Sequence, residues 1–497
     1  MSHTDETLQI PIATSPIPST LSPSASSQRL HSHHSPSRLS RDHVVVFSGG
    51  SAANSLVDVF ERVRRANRST LSYVIPISDN GGSTSEIIRV FGGPGIGDVR
   101  SRLVRLIPDD GNAETVAIKH FFNHRLPKSY TEAKAEWYDI VEGTHRLWAD
   151  FSSPKRELIR SYLNSFNIEV VKRMRPSSRF DFSGASIGNL FLTGARLFTG
   201  SFEAAIYLLS SVCNVPETTS VLPALNTNFA VHIAASLLNG DVITGQNDIS
   251  HPSAPTNAVP VAGAGVYTPA TQEEDTEQHD AIEDANLPGS LPALRRPAIV
   301  FSKDQEEDLP ARIDRVWYIN PYGQEIRMPG NPRVLESLNK SDAVIYCIGS
   351  LFTSLIPNLI LKGVGEAIAS PAVRSKILLL NGTIDRESGP STDPLSGLDF
   401  MRAICNACAS SRGLPPPKEE EFSTYITHVI HIEGPTAPVV DKERLQKLGI
   451  DAIRIYGPKD TSGRGRYDAN ALGQTLETII GRRDSQTSRS RRNTLVG

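Results

Sequence analysis

The stretch His43-Val44-Val45-Val46-Phe47-Ser48-Gly49-Gly50-Ser51-Ala52-Ala53-Asn54 decides the fold. Four apolar residues in a row, three of them β-branched, run straight into a Gly-Gly turn. A continuous run of this kind reads as a strand buried on both faces, the habit of parallel sheets. Beyond the turn, Leu56, Val59, Phe60 and Val63 recur at helical spacing within 52–65, with charges on the opposite side. Strand, glycine loop and helix in that order form the unit of a wound α/β fold.

The same unit repeats outward. Short apolar runs at 71–77, 343–348, 376–380, 425–432 and 452–456 each end in small or polar residues. Within 469–480, Leu472, Leu476, Ile479 and Ile480 again mark a helix face. The pattern predicts an α/β protein with a Rossmann-like, doubly wound, mostly parallel sheet and helices on both faces. Ligands of such sheets bind outside the carboxyl ends of the strands.

At 497 residues and roughly 150 residues per domain, length alone suggests three domains. Composition argues for fewer. Hydrophobic residues are only 39% of the chain. Residues 1–42 hold 11 serines, 249–312 are rich first in Pro, Ala and Thr and then in Asp and Glu, and 482–497 are rich in Ser and Arg. Such segments bury too little apolar area to offset ordering entropy. They are read as a disordered tail, an acidic insertion and a second tail around one α/β domain at 43–481.

Net charge is −3, from 51 basic and 54 acidic residues. That excludes a globally basic nucleic-acid binder. No run approaches 18 apolar residues and no signal-peptide core opens the chain. Four cysteines are too few for a disulfide framework. The expectation is a cytoplasmic protein without nucleic-acid or membrane partners. Cys405 and Cys408 form a lone C-x-x-C, two ligands short of a zinc site. His428 and His431, three apart in a strand, face opposite sides and share no metal.

Five loops carry the chemistry. Gly49, Gly50, Ser51 and Asn54 follow the first strand and open a helix, where unpaired N–H groups favour an anion. Ser78-Asp79-Asn80-Gly81-Gly82-Ser83-Thr84 ends the second strand with a carboxylate, a carboxamide and hydroxyls. Asp79 there suits Mg²⁺ or a sugar hydroxyl, and Ser83 suits a phosphate oxygen; an Asx turn accounts for the same residues. In 92–100, Asp98 and Arg100 flank one residue, and Arg100 is placed to clamp a phosphate. Ser186, Gly188 and Asn189 open another helix. Gly349, Ser350, Thr353 and Ser354 follow a strand and form a second candidate phosphate cradle. Walker A, G-x-G-x-x-G, G-x-S-x-G and H-E-x-x-H motifs are absent. Together the loops favour a nucleotide or phosphometabolite site.

The series resembles the 2-phospho-L-lactate transferase family, which includes the bacterial gluconeogenesis-factor proteins. That family shows Gly-Gly-Gly-Thr-Gly, Asp-Asp-Gly-Gly-Ser-Ser, Pro-Pro-Gly-Asp-Ile-Arg, Gly-Asn-Leu and Gly-Pro-Gly-Ser-Leu-Tyr-Thr-Ser-Val-Ile-Pro-Asn-Leu. The matching segments here are 48–53, 79–84, 95–100, 188–190 and 347–359. Order and spacing agree from about residue 43 to 480, leaving out the insertion. The resemblance implies a Rossmann-like sheet and, in one branch, Mg²⁺-dependent transfer of a phospholactyl-type group from a guanylylated donor. The bacterial branch, which this chain resembles more, binds nucleotide-sugars and is associated with carbon metabolism. Family members also imply a homodimer.

Departures matter. Asn80 stands where the family has its second Asp, Ser51-Ala52 for Thr-Gly, Cys347-Ile348 for Gly-Pro, and Gln246 for a Glu. Two lost carboxylates weaken a Mg²⁺ site. Two functions stay open. One is a transferase of a phosphate-containing group, in which Asp79, Asp98 and Arg100 are catalytic and Asp79 holds the metal. The other is a non-catalytic nucleotide-sugar or dinucleotide sensor using the same loops.

Overall fold

The computed structural model describes residues 43–250 and 308–481, apart from Ser51, Asn80, 175–178 and 460–464, together with Leu291 and Leu294. The two tails and most of the insertion lie outside the described residues. So do Ser51 and Asn80.

The opening stretch is strand β1 (His43–Phe47), and Val44 to Phe47 are all buried. A short 3-10 turn (Ala53–Leu56) leads into α1 (Val57–Asn67), which buries Val57, Val59, Phe60 and Val63. Next comes β2 (Thr70–Ile75). It stops two residues earlier than the apolar run because Pro76 has no N–H for the ladder. The chain then forms α2 (Ser83–Phe91) and α3 (Gly97–Arg105). A helical block follows: α4 (Ala113–Asn123), α5 (Tyr130–Glu142), α6 (Ser153–Arg173), α7 (Ile187–Thr199) and α8 (Phe202–Val212). Its centre is α7, whose residues from Ile187 to Arg196 are all buried.

Strand β3 (Thr219–Pro223) closes the first half of the sheet. The second half comes from β8 (Ala343–Tyr346), β9 (Ser375–Leu379), β10 (His428–His431) and β11 (Asp451–Arg454). The spatial order is β11-β10-β9-β8-β1-β2-β3, and every pair is parallel. The doubly wound reading therefore holds. Helix Ala469–Gly481 packs beside α1, where Arg62 donates to Glu477 at 2.9 Å.

The sequence reading did not find β3, nor a second sheet. That sheet is antiparallel, in the order β5-β4-β6-β7, from β4 (His232–Leu237), β5 (Val242–Thr244), β6 (Ile313–Ile319) and β7 (Glu325–Ile326). Residues 249–250 and 308–312, read as part of the insertion, are among the described residues. Ile249 and Ser250 close helix α9 (Gln246–Ser250), where Ile249 is fully buried, and Leu309 rejoins the core.

Candidate functional site

The strand order fixes where to look. From β1 the chain winds one way to β2 and β3, then returns to β8 and winds the other way. The switch point lies between β1 and β8, and their carboxyl-end loops flank the crevice where such sheets take ligands. Those loops are 48–52 and 347–350.

The β1 loop is tightly held. A Cβ at Gly49 would lie 2.5 Å from Ser354 Oγ, and one at Gly50 only 2.0 Å from Asp98 Oδ1. Glycine lets the loop press against both. The Gly50 N–H donates to the Asp98 carboxylate.

Asp79 ends the β2 loop. Its Oδ1 accepts the Gly81 N–H at 2.9 Å, so the Asx turn is present. The glycine loop 92–97 then crosses it. Gly95 donates to Ile77 O at 2.7 Å, and a Cβ there would sit 2.2 Å from Asp79 O. This crossing sets the first turn of α3 beside Asp79. Burial pushes the Asp98 carboxyl up to about 7, and the Asp79 charge pushes it the same way; the Gly50 N–H, Arg102 and Arg100 oppose both. Two carboxylates in one crevice repel unless a proton or cation joins them. This pair fits a divalent cation that takes one or two carboxylates and leaves its other positions to water and phosphate. No group of three or more His, Cys, Asp or Glu side chains that could hold a metal occurs among the described residues.

Arg102, which the sequence reading passed over, lies directly beneath the β1 loop. It is fully buried. Its Nη2 donates to Ser48 Oγ at 3.3 Å and Gly49 O at 3.1 Å, and its guanidinium lies 4.4 Å from the Tyr73 ring centroid. Nε and Nη1 find no hydrogen-bond partner. Burial pulls its pKa down, with Tyr73, Cys347 and Asp98 acting the other way. A buried cation with unmet donors under a glycine loop offers a positive field to an anion above it.

Arg100, expected to clamp phosphate, is instead buried between helices. Its Nε donates to Asn189 Oδ1 at 3.3 Å and its Nη1 to Asn123 Oδ1 at 3.1 Å. Burial lowers its pKa to about 10. Asn189 passes the link on, donating to Ser83 Oγ at 3.1 Å. Ser186 is fully buried against Phe122 O, and a Cβ at Gly188 would strike the Arg100 side chain at 2.7 Å. The α7 start is thus a close helix contact, tied to the Asp79 turn through Asn189 and Ser83. Asn54 donates to Ser101 Oγ at 2.8 Å, tying the first turn to α3.

The β8 loop corrects a second expectation. Gly349 takes φ +145°, and its N–H donates to Asn381 Oδ1 at 3.1 Å. Ser350 then precedes a π-helical turn, Leu351–Leu355, without a side-chain cap. Its N-terminal donors are not open to a phosphate, because a protein carboxylate already takes them. Glu387 accepts the N–H groups of Phe352 and Thr353, each at 2.9 Å, the Thr353 hydroxyl at 2.5 Å and the Ser250 hydroxyl at 2.7 Å. Burial, reinforced by the Asp385 charge, pushes Glu387 up to about 7. Ser354 points to Gly49 instead. Gln246 accepts the Ser78 hydroxyl at 2.8 Å, one residue from Asp79.

The strand-end site thus gathers Gly49, Gly50, Asp79, Asp98 and Ser354, with Gly81, Gly82 and Ser83 on the adjoining turn. Cys405 and Cys408 are buried in helix Gly397–Ser411, and the described Cys residues are all free.

The family model of 2-phospho-L-lactate transferase CofD matches residues 44–455. An uncharacterized Saccharomyces cerevisiae protein is 40% identical over 411 residues, spanning 79% of this chain and 90% of that one. A gluconeogenesis factor of Halalkalibacterium halodurans is 22% identical over 441 residues, covering 88% of this chain and 96% of its own. A Bacillus halodurans crystal structure superposes with a TM-score of 0.52 at 19% identity, covering 88% of this chain and 99% of that one. A second crystal structure, titled as a UPF0052 family member, gives 0.52 at 20% identity, covering 87% and 97%. These superpositions show the same fold.

Proposed function

The chain belongs to the 2-phospho-L-lactate transferase family, and from that premise we propose that it binds a nucleotide-type, phosphate-bearing ligand at the β1/β8 switch point. Membership supports a role in binding or transferring a phosphate-containing group. The observation that carries the finer reading is the pairing of Asp79 and Asp98 above the Gly49–Gly50 turn.

In this reading the phosphate sits over the Gly49–Gly50 turn, which its glycines let press against Ser354 and Asp98. Arg102 braces the loop from below and sets a positive field under the anion. Asp79 and Asp98 would hold Mg²⁺, which when bound neutralises phosphate charge and polarises a phosphoryl oxygen. Asp98 also fixes the loop through the Gly50 N–H. Arg100 is a positioning residue that acts through Asn189 and Ser83.

A second reading, a non-catalytic nucleotide-sugar or dinucleotide sensor, has its own observation. The helix start at Leu351–Leu355 is filled by Glu387, and Gln246 rather than a carboxylate lies beside Ser78. Calorimetry on a panel of nucleotides and nucleotide-sugars, with and without Mg²⁺, tests both. Saturable heat that needs Mg²⁺ and is lost in Asp98→Ala supports the carboxylate pair. Product formation from a nucleotide-linked donor selects the transferase, and binding without product selects the sensor. Folded wild-type protein giving no heat with any member would sink both.

A further inference from the structure

A separate cavity of about 610 Å³ lies between β6, β7 and the helices Ile356–Leu359 and Gly397–Ser411. Neither Asp79, Asp98 nor the β1-loop glycines line it. Its size falls within the range of small-molecule sites, roughly 300–1,000 Å³.

Its chemistry is two-sided. Met328, Phe352, Ile356, Ile360 and Ala407 supply an apolar wall. The lining also holds four cations, Arg315, Arg327, Lys362 and Arg412, against two anions, Asp314 and Glu325. Arg315 already pairs with Glu325 and lies over the Trp317 ring. Arg412 donates to Glu366 at 2.6 Å and to Tyr425 Oη at 3.0 Å. Arg327 and Lys362 are exposed and form no ion pair with a described residue. A chain of net charge −3 thus concentrates positive charge at this opening.

We propose that this cavity binds a small organic anion with an apolar or aromatic body. The anionic group meets Arg327 and Lys362, and the body seats on the Phe352 and Ile356 wall.

The dye 8-anilinonaphthalene-1-sulfonate has both features, and N-phenyl-1-naphthylamine is the same body without the charge. Fluorescence titration of the full chain should give one saturable sulfonate site. The double charge reversal Arg327→Glu/Lys362→Glu, at exposed positions, should weaken the sulfonate about tenfold or more, equal to about 1.4 kcal/mol. The neutral dye should bind wild type and double variant alike. Ala403→Trp should fill the cavity and abolish both, with circular dichroism and melting temperature reporting the fold. Equal sulfonate affinity in wild type and double variant overturns the proposal, as does the absence of a saturable site in wild type. Charge reversal that turns a dimer into a monomer, with dye binding unchanged, overturns it in favour of a second copy on this face.

Discussion

Gly50→Ala tests the geometry of the strand-end site most directly. Gly50 is not among the glycines with positive φ, so the backbone there is open to alanine and the effect is steric. The added Cβ would lie 2.0 Å from Asp98 Oδ1, 2.7 Å from its Cγ and 3.1 Å from its Cα. Reaching an ordinary separation of 3.4 Å requires Oδ1 to retreat about 1.4 Å. Rotating the Asp98 side chain breaks the bond from the Gly50 N–H and still leaves the new methyl pressed against the Asp98 backbone. Overpacking of this kind costs about 1–3 kcal/mol. A bond to a charged group adds about 1.5–3 kcal/mol where it is lost outright. We expect Gly50→Ala to lose about 3 kcal/mol in a reversible denaturant titration. Asp98→Ala removes Oδ1 and Cγ, so the double variant should recover a coupling of about 1–3 kcal/mol. Four melts complete the cycle: wild type, both singles and the double. Strict additivity, or a Gly50→Ala protein as stable as wild type, would refute the assignment of this interaction.

Three further outcomes are expected. Glu387→Ala removes the acceptor of two backbone N–H groups and two hydroxyls, and should cost about 3 kcal/mol. Sulfate should then stabilise that variant more than wild type, because the helix-start donors are released. Arg102→Met removes the donor to Ser48 Oγ and Gly49 O and should cost about 1–3 kcal/mol. It should also weaken nucleotide-type ligands about tenfold or more in calorimetry. His232 is buried, and burial lowers its pKa to about 4 from 6.5. The unfolded chain therefore binds the extra proton first, so this stability is complete above pH 6.5 and is lost as pH falls to about 4. The contribution is about 3 kcal/mol, and a flatter acid limb in the melting curve of His232→Gln checks it.

The parallel sheet was legible because burial on both faces leaves a continuous apolar signature. Val44 to Phe47, Ala343 to Tyr346 and Ile377 to Leu379 carry it plainly. The antiparallel sheet was not. Ile313-Asp314-Arg315-Val316-Trp317-Tyr318-Ile319 mixes exposed charges with buried residues, and a long polar segment separates it from its partner β4. The loops of the site were legible for a different reason. Glycines and small polar residues at strand ends mark a close backbone approach, and Gly50 against Asp98 is such an approach.

What a linear reading lacks is the partner of each donor. Thr353 and Ser350 look like a phosphate cradle because they open a helix after a strand. Helix N-termini do attract anions, but the anion can be a side chain from the same protein. Glu387 arrives from 34 positions down the chain, and nothing near Thr353 announces it. Arg102 and Arg100 show the same effect with cations. Two residues apart on one helix, they face different neighbours, so one braces the glycine loop and the other links α3 to α4 and α7. Consequently the crevice offers an incoming anion one glycine loop over one buried guanidinium, with two carboxylates beside it. In the proposed reading, a ligand that binds there brings a cation to Asp79 and Asp98 or carries its negative charge on the Gly49 side. Mg²⁺ dependence of binding therefore tests the carboxylate pair, and product formation separates the two functional readings.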